Sequence, residues 1–329
     1  MPMIESVNLT KRYGALTALD NLNLSIEEGD CFGFIGPNGA GKTTTIKILA
    51  TLLKPSSGQA IVDGLTIGYQ NRQIRPIIGY VPDFMGAYED MLVSEYLEFF
   101  AAAYGVHGKE RKRVVADVLD LTDLAYKSDA EVNSLSRGMQ QRLSIARVLL
   151  HDPKALLLDE PASGLDPRAR IEIRELLKEL KQMGKTILIS SHILHELSEL
   201  CNTVGIIEQG KLLYSGTVGG AMERAGMGRI VSVGVVARAS EAAELLRAVP
   251  GVSGVTLAGE ASANGAPEGD RRSVGAGAML RVQIDDSGAV TLSDLPNRLV
   301  NAGFRMTRFF EEQPDLETVF MRLTEGLVQ

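Results

Sequence analysis

Cysteine is scarce in this 329-residue chain. The two present, Cys31 and Cys201, form no CxxC spacing, so neither a disulfide framework nor a cysteine-based zinc site can be built from them. No run of about 18 apolar residues occurs, and the opening MPMIESVNLTKRYG has no apolar signal core. A cytoplasmic chain is expected, with any membrane role exerted through a partner. Basic charge is also short: 34 Lys plus Arg stand against 41 Asp plus Glu, a net charge of −7. That balance argues against a chain-wide basic surface for nucleic acid. What remains is an ordinary globular composition, 45% apolar and 23% charged, in a length that suits one large or two ordinary domains.

Apolar patterning divides the chain. Residues 4–9, 19–26 and 31–35 have strand character, and Asp63-Gly64 is a hairpin-turn signal after strand residues 59–62. From about 84 to 150 the period turns helical. Tyr96, Phe99, Phe100 and Ala103 fall at i, i+3, i+4 and i+7, and Val114, Val118 and Leu121 repeat the spacing. Strands return at 155–158, 186–189 and 204–207, with a helix at 168–183. Such alternation predicts a parallel sheet covered by helices. Small residues at 221–228 mark a boundary between domains 1–221 and 222–329. The second reads as a small α+β unit. It has strands at 230–236, 252–257, 278–284 and 306–311, and helices at 239–248 and 292–302. Its insert 259–277, rich in Gly and Ala and poor in large apolar residues, is expected to be disordered.

Gly36-Pro37-Asn38-Gly39-Ala40-Gly41-Lys42-Thr43 reads GxxxxGKT between strand 31–35 and a helix starting near Thr44. Glycines let such a loop curl so that successive N–H groups point at phosphates, and the helix N-terminus adds its positive end. Lys42 is placed to reach the β- and γ-phosphates, and the Thr43 hydroxyl to ligate Mg²⁺. The apolar run 155–158 ends in Asp159 and Glu160. By itself this is a strand stopping at the surface. After a phosphate loop in the same chain, Asp159 reads as a Mg²⁺ contact and Glu160 as the group that polarises the attacking water.

Residues 135–143, LSRGMQQRL, resemble the signature motif of ATP-binding cassette (ABC) proteins. SGLDP at 163–167 resembles their D-loop, Ser190-Ser191-His192 their switch histidine, and Tyr13 the aromatic that stacks on adenine. The resemblance covers about two-thirds of the chain. It implies an α/β P-loop NTPase cassette: a mixed sheet with an antiparallel β subdomain and a helical subdomain at about 84–150, followed by a C-terminal α+β domain for dimerisation or regulation. It also implies two ATP molecules sandwiched in a head-to-tail dimer. Tyr13, Gly36, Asn38, Gly39, Ala40, Gly41, Lys42, Thr43 and Thr44 would hold ATP in cis. Thr43 and Asp159, with Asp83, would hold Mg²⁺, and Glu160, His192 and Lys42 would be catalytic. Ser136, Gly138 and Asp166 of the other protomer would complete the site. The remaining histidines, His107, His151 and His195, read as structural.

Three positions depart from the family pattern: Asp83 for the Q-loop glutamine, Arg137 for the first signature glycine, and Met139 for the usual glutamine. Asp83 is expected to keep the metal-contact and signalling role. Arg137 either adds charge near phosphate or points to solvent. Tyr88 and Met91, in an aromatic-rich stretch after Asp83, are candidates either for contact with a membrane subunit or for ordinary packing. KERKR at 109–113 reads as a solvated helix face. Leu316, Val319, Phe320 and Leu323 form an amphipathic stripe that resembles the C-terminal extension of drug, antibiotic or polysaccharide exporter subunits. The function implied is the ATPase subunit of a bacterial ABC exporter, paired with a second ATP-binding subunit and a separate permease at the cytoplasmic face of the membrane. No nucleic-acid partner is expected. The alternative is a soluble or regulatory ABC ATPase not coupled to transport.

Overall fold

A computed structural model describes residues 2–84, 86, 90–191, 194–225, 229–258, 278–284, 292–312 and 316–324; the insert 259–277 lies outside the described residues. The chain divides into two compact units, Met1–Ala221 with Leu323–Gln329, and Met222–Arg322.

The first unit opens with β1 (Pro2–Tyr13) paired antiparallel to β2 (Leu16–Glu27). In β2, buried Leu22, Leu24 and Ile26 alternate with exposed Asn21, Asn23 and Ser25, the pattern of a sheet with one face on a core. β3 (Cys31–Ile35) runs through a loop into α1 (Lys42–Leu49). β4 (Ser57–Val62) and β5 (Leu65–Thr66) meet across Asp63 and Gly64. The φ values there, +49° and +75°, give the left-handed two-residue turn that Asp-Gly favours. These strands form the sheet β2-β1-β4-β5. After α2 (Asn71–Ile74) and β6 (Ile78–Val81) come three longer helices, α3 (Val93–Ala103), α4 (Gly108–Leu121) and α5 (Arg137–Leu149). The chain then returns through β7 (Ala155–Asp159), α6 (Pro167–Gln182), β8 (Thr186–Ser191), α7 (Leu194–Leu200), β9 (Thr203–Glu208), β10 (Lys211–Thr217) and α8 (Val218–Arg224).

The second sheet has the order β10-β9-β3-β8-β7-β6, parallel except for the β9–β10 pair. Every residue of β3, β7 and β8 is buried, as expected of parallel strands covered on both faces. Phe32, Phe34, Leu157 and Leu188 of this sheet share one core with Ile46, Ile48 and Leu49 of α1. That packing anchors the base of the loop between β3 and α1. Cys31 and Cys201 are buried free thiols with sulfurs 3.6 Å apart.

Two strands escape the sequence patterns. β6 has only four residues, one of them Gly79, while β10 alternates exposed and half-buried residues and buries none fully. The helical period of α3 holds, but its phase differs from the expected stripe. Its buried face is Val93, Tyr96, Leu97 and Ala101, whereas Phe99 is 51% exposed and Ala103 lies in solvent. Phe99 instead packs edge-on against Phe100, with centroids 5.2 Å apart. The α4 face likewise centres on Val115, Val118 and Leu119.

The second unit runs β11 (Arg229–Val235), α9 (Ala239–Arg247), β12 (Val252–Ala258), β13 (Ala278–Ile284), α10 (Asp294–Asn301), β14 (Met306–Glu312) and α11 (Leu316–Leu323). Its antiparallel sheet has the order β12-β13-β11-β14. A βαββαβ chain with this order is the ferredoxin-like split βαβ arrangement. Its core joins Val231, Val233 and Val235 to Leu246 of α9 and to Leu295 and Leu299 of α10. Leu316 and Val319 of α11 are buried, while Phe320 and Leu323 are half-buried.

Candidate active site

The loop 36–41 is shaped by glycines at places where a side chain would not fit. A Cβ on Gly36 would run into the Ile207 carbonyl oxygen. At Gly41 (φ +109°) it would fall 2.7 Å from the Ala18 oxygen and 2.7 Å from Leu19 Cδ2. Gly41 is also the N-cap of α1, whose first turn has neither a capping side chain nor an acid. The leading N–H groups of that helix and its positive end are therefore offered to an anion. Lys42 is only 5% exposed. Its ammonium donates to the Gly36 oxygen at 2.5 Å and the Pro37 oxygen at 3.2 Å, and lies 3.5 Å from Glu160 Oε1.

Sheet register assembles the acidic side. β8 lies between β3 and β7, and its Ser190 pairs with Phe34 on one side and Asp159 on the other. Ser190 Oγ donates to Asp159 Oδ1 at 2.9 Å, and Thr43 Oγ1, the second residue of α1, donates to the same oxygen at 3.1 Å. Burial holds the Asp159 carboxyl above its ordinary range, against those two hydrogen bonds, which pull it down. Tyr80 on β6 is pushed up to about 12, first by burial and then by the charges of Asp159 and Asp83. Glu160 takes a left-handed φ of +51°, uncommon for a residue with a side chain. Its N–H is held by the Ser190 carbonyl at 3.2 Å and the Ser190 hydroxyl at 3.0 Å. Backbone of this kind costs about 1–3 kcal/mol and persists where the surroundings fix it.

These groups open onto one cavity of about 390 Å³, whose walls include Lys42, Thr43, Asp83, Asp159, Glu160 and Tyr13. Asn38, Gly39, Gly41 and Thr44 line it too, as do Leu16, Ala18 and Pro37, which sequence patterns do not single out. Gly36 and Ala40 do not line it, and Ala40 is buried. Tyr13 is 47% exposed, with the Lys11 ammonium 5.0 Å from its ring centre.

The signature residues lie elsewhere. Ser136 is the N-cap of α5, its Oγ accepting from the Met139 N–H at 3.3 Å. Ser136, Gly138 and Asp166 line a separate cavity of about 340 Å³ that shares no residue with the first. Asp166 has a structural task as well, since its Oδ1 accepts from the Arg168 and Ala169 N–H groups, both at 3.0 Å, as the N-cap of α6. Met91 is half-buried, and its carbonyl accepts from the Val132 N–H at 2.9 Å. His192 and Tyr88 lie outside the described residues. His151 is a packed side chain, with Nε2 3.0 Å from the Ile78 carbonyl oxygen and its ring 4.3 Å from that of Tyr104.

A family profile described as "ABC transporter" matches residues 19–163. The bacitracin transport ATP-binding protein BcrA of Bacillus licheniformis is 43% identical over 212 residues, covering 64% of this chain and 68% of that protein. The chain belongs to the ABC transporter family. It is an ATP-binding subunit of that family, and its activity is ATP hydrolysis. The Nod factor export ATP-binding protein I of Burkholderia orbicola (strain AU 1054) is 40% identical over 213 residues, covering 65% of this ABC subunit and 70% of the relative. A solved ATP-binding cassette, dimeric, in a post-hydrolysis state and bound to ADP and Pi, superposes with a TM-score of 0.60. It is 28% identical, and the match covers 66% of this chain and 99% of that one.

The buried Asp159 of this ABC subunit yields a prediction about stability. A carboxyl whose folded pKa is raised binds its proton more tightly in the folded chain, so stability falls as pH rises from 3.8 through the folded value. Asp159→Asn removes that loss and leaves an oxygen to accept from Ser190 and Thr43. The nucleotide-free variant is expected to melt above the parent by a margin that widens as pH rises through this window. Calorimetry between pH ~4 and ~7 checks it; a margin that shrinks with pH contradicts it.

Proposed function

We propose that this chain is the ATPase subunit of an ABC exporter, hydrolysing Mg·ATP in a head-to-tail dimer with a second ATP-binding subunit and driving a separate transmembrane permease. The observation that carries the reading is the convergence of the phosphate loop, the Thr43–Asp159 pair and Glu160 on one cavity, while Ser136, Gly138 and Asp166 line another. One chain thus holds two half-sites, which a head-to-tail partner would bring together. The export and transport named in the two relatives support the exporter assignment.

In this mechanism Tyr13 stacks on adenine. The N–H groups of the loop and of α1 take the phosphates, with Gly36, Ala40 and Thr44 shaping the cradle. Lys42 moves its ammonium from the loop carbonyls to the β- and γ-phosphates. Thr43 and Asp159 present hard oxygen donors to one point, which suits Mg²⁺ shared with phosphate, and Asp83 lines the same cavity. When bound, Mg²⁺ neutralises charge on the β- and γ-phosphates. Glu160, held by Ser190 and facing Lys42, polarises the attacking water. His192 senses the γ-phosphate, and Ser136 and Gly138 of the partner cover it from the head of α5.

The permease contact lies around Asp83, Tyr88 and Met91, where Phe84 adds an aromatic ring that is 76% exposed. Among the described residues no helix is long and apolar enough to cross a membrane. The chain would then sit at the cytoplasmic face through that permease. The ferredoxin-like unit serves dimerisation or regulation. ATP turnover per chain is expected to rise with protein concentration. It should fall about tenfold or more in Ser136→Gly, a change that costs the α5 cap only about a few tenths of a kcal/mol. Turnover that stays flat per chain while sedimentation shows monomers would sink the shared site.

A further inference from the structure

Arg137, the first residue of α5, is exposed and does not line the phosphate cavity. Its guanidinium lies over Gly164. A Cβ built on that glycine would fall 2.7 Å from Arg137 Cζ and 3.0 Å from Nη2. Gly164 has φ +65° and belongs to the turn that leaves Glu160. In that turn the Ser163 N–H donates to the Glu160 carbonyl at 3.0 Å and the Leu165 N–H to the Ala162 carbonyl at 3.4 Å; Asp166 then caps α6. The flat face of a guanidinium fits against a bare Cα, where any side chain would push it away. The same arginine lines a cavity of about 210 Å³ with Asp83, Phe84, Gln140 and Gln141. One side chain therefore touches the turn that follows β7 and borders the loop that follows β6.

We propose that Arg137 is a positioning residue that clamps the Glu160–Asp166 turn in its own chain, so that the placement of Glu160 follows the placement of α5. The inference rests on Glu160 acting as assigned under the proposed function. Movement of α5 on partner binding would then reach Glu160 through the Arg137–Gly164 contact and the turn, without passing through the nucleotide. Arg137 is exposed as a residue, so its removal leaves the core untouched.

Hydrogen exchange read by mass spectrometry on the nucleotide-free full-length chain tests the clamp without relying on turnover. In Arg137→Ala, amides 162–165 are expected to exchange about tenfold faster, with α1 amides unchanged. Turnover of Arg137→Ala is expected to fall about tenfold in kcat with the KM for ATP within about twofold, and Arg137→Lys to recover part of kcat. Unchanged exchange in the turn overturns the clamp whatever the turnover. A raised KM with unchanged kcat overturns it too, because Arg137 would then serve the nucleotide. If the parent's turnover proves indifferent to Glu160→Gln, the hydrolytic reading of Glu160 fails, while exchange in the turn still decides the clamp.

Discussion

Replacing Glu160 by glutamine is expected to lower ATP turnover by about 10²–10³-fold while ATP still binds. The change is nearly isosteric. The Glu160 N–H keeps both bonds to Ser190, so the left-handed backbone should survive. What disappears is the negative oxygen 3.5 Å from the Lys42 ammonium and the capacity to take a proton from water. The side chain is only 15% exposed, so solvent cannot easily substitute for it. Binding of a fluorescent ATP analogue beside phosphate release separates the two effects. ATP that binds without being cleaved should also hold the dimer closed, visible as a larger species in gel filtration with ATP. Retained turnover would place the base on another residue.

Lys42→Ala should act one step earlier. Each charge-assisted bond to phosphate is worth about 1.5–3 kcal/mol, and two such bonds lost from a buried ammonium correspond to about 10²–10⁴ in ATP affinity. The loss is compounded because Asp159 and Glu160 would face a triphosphate with no cation from α1 between them. Lys42→Arg is not expected to rescue binding, since a branched guanidinium cannot follow the path of an ammonium only 5% exposed between the Gly36 and Pro37 carbonyls. Titration calorimetry with Mg·ATP reads both variants. Affinity within about threefold of the parent would place the phosphates elsewhere.

Much of the nucleotide site is visible in the sequence because its chemistry is local. Gly36 to Thr43 spells out a loop, and the apolar run before Asp159 announces a strand that ends in a carboxylate. The hairpin at Asp63-Gly64 is visible for the same reason: two adjacent residues decide it. The Ser190 bridge is not visible, because it depends on β8 lying between β3 and β7 with Ser190 level with Asp159, a property of strand order and register. The Arg137–Gly164 contact joins residues on two different elements through a side-chain conformation that spacing does not encode. In α3 the aromatic residues suggest one stripe, whereas packing against α4 and α5 selects another that leaves Phe99 outside. The strands of the second unit can be counted from their apolar patterns, but nothing in them states that β11 sits between β13 and β14.

The central position of β3 has a consequence for biosynthesis. Its partners are β8 and β9, and Cys31 pairs with Ile187, more than 150 residues later. A chain growing at about 5–20 residues per second therefore carries its phosphate loop unsupported for roughly 10–30 s before the neighbouring strand emerges. Non-local parallel pairing of this kind is slow to form and leaves apolar strands uncovered meanwhile. Nascent chains halted before β8 should thus need a chaperone and fail to retain ATP, and nucleotide capture would date the moment at which β3 finds its place in the sheet.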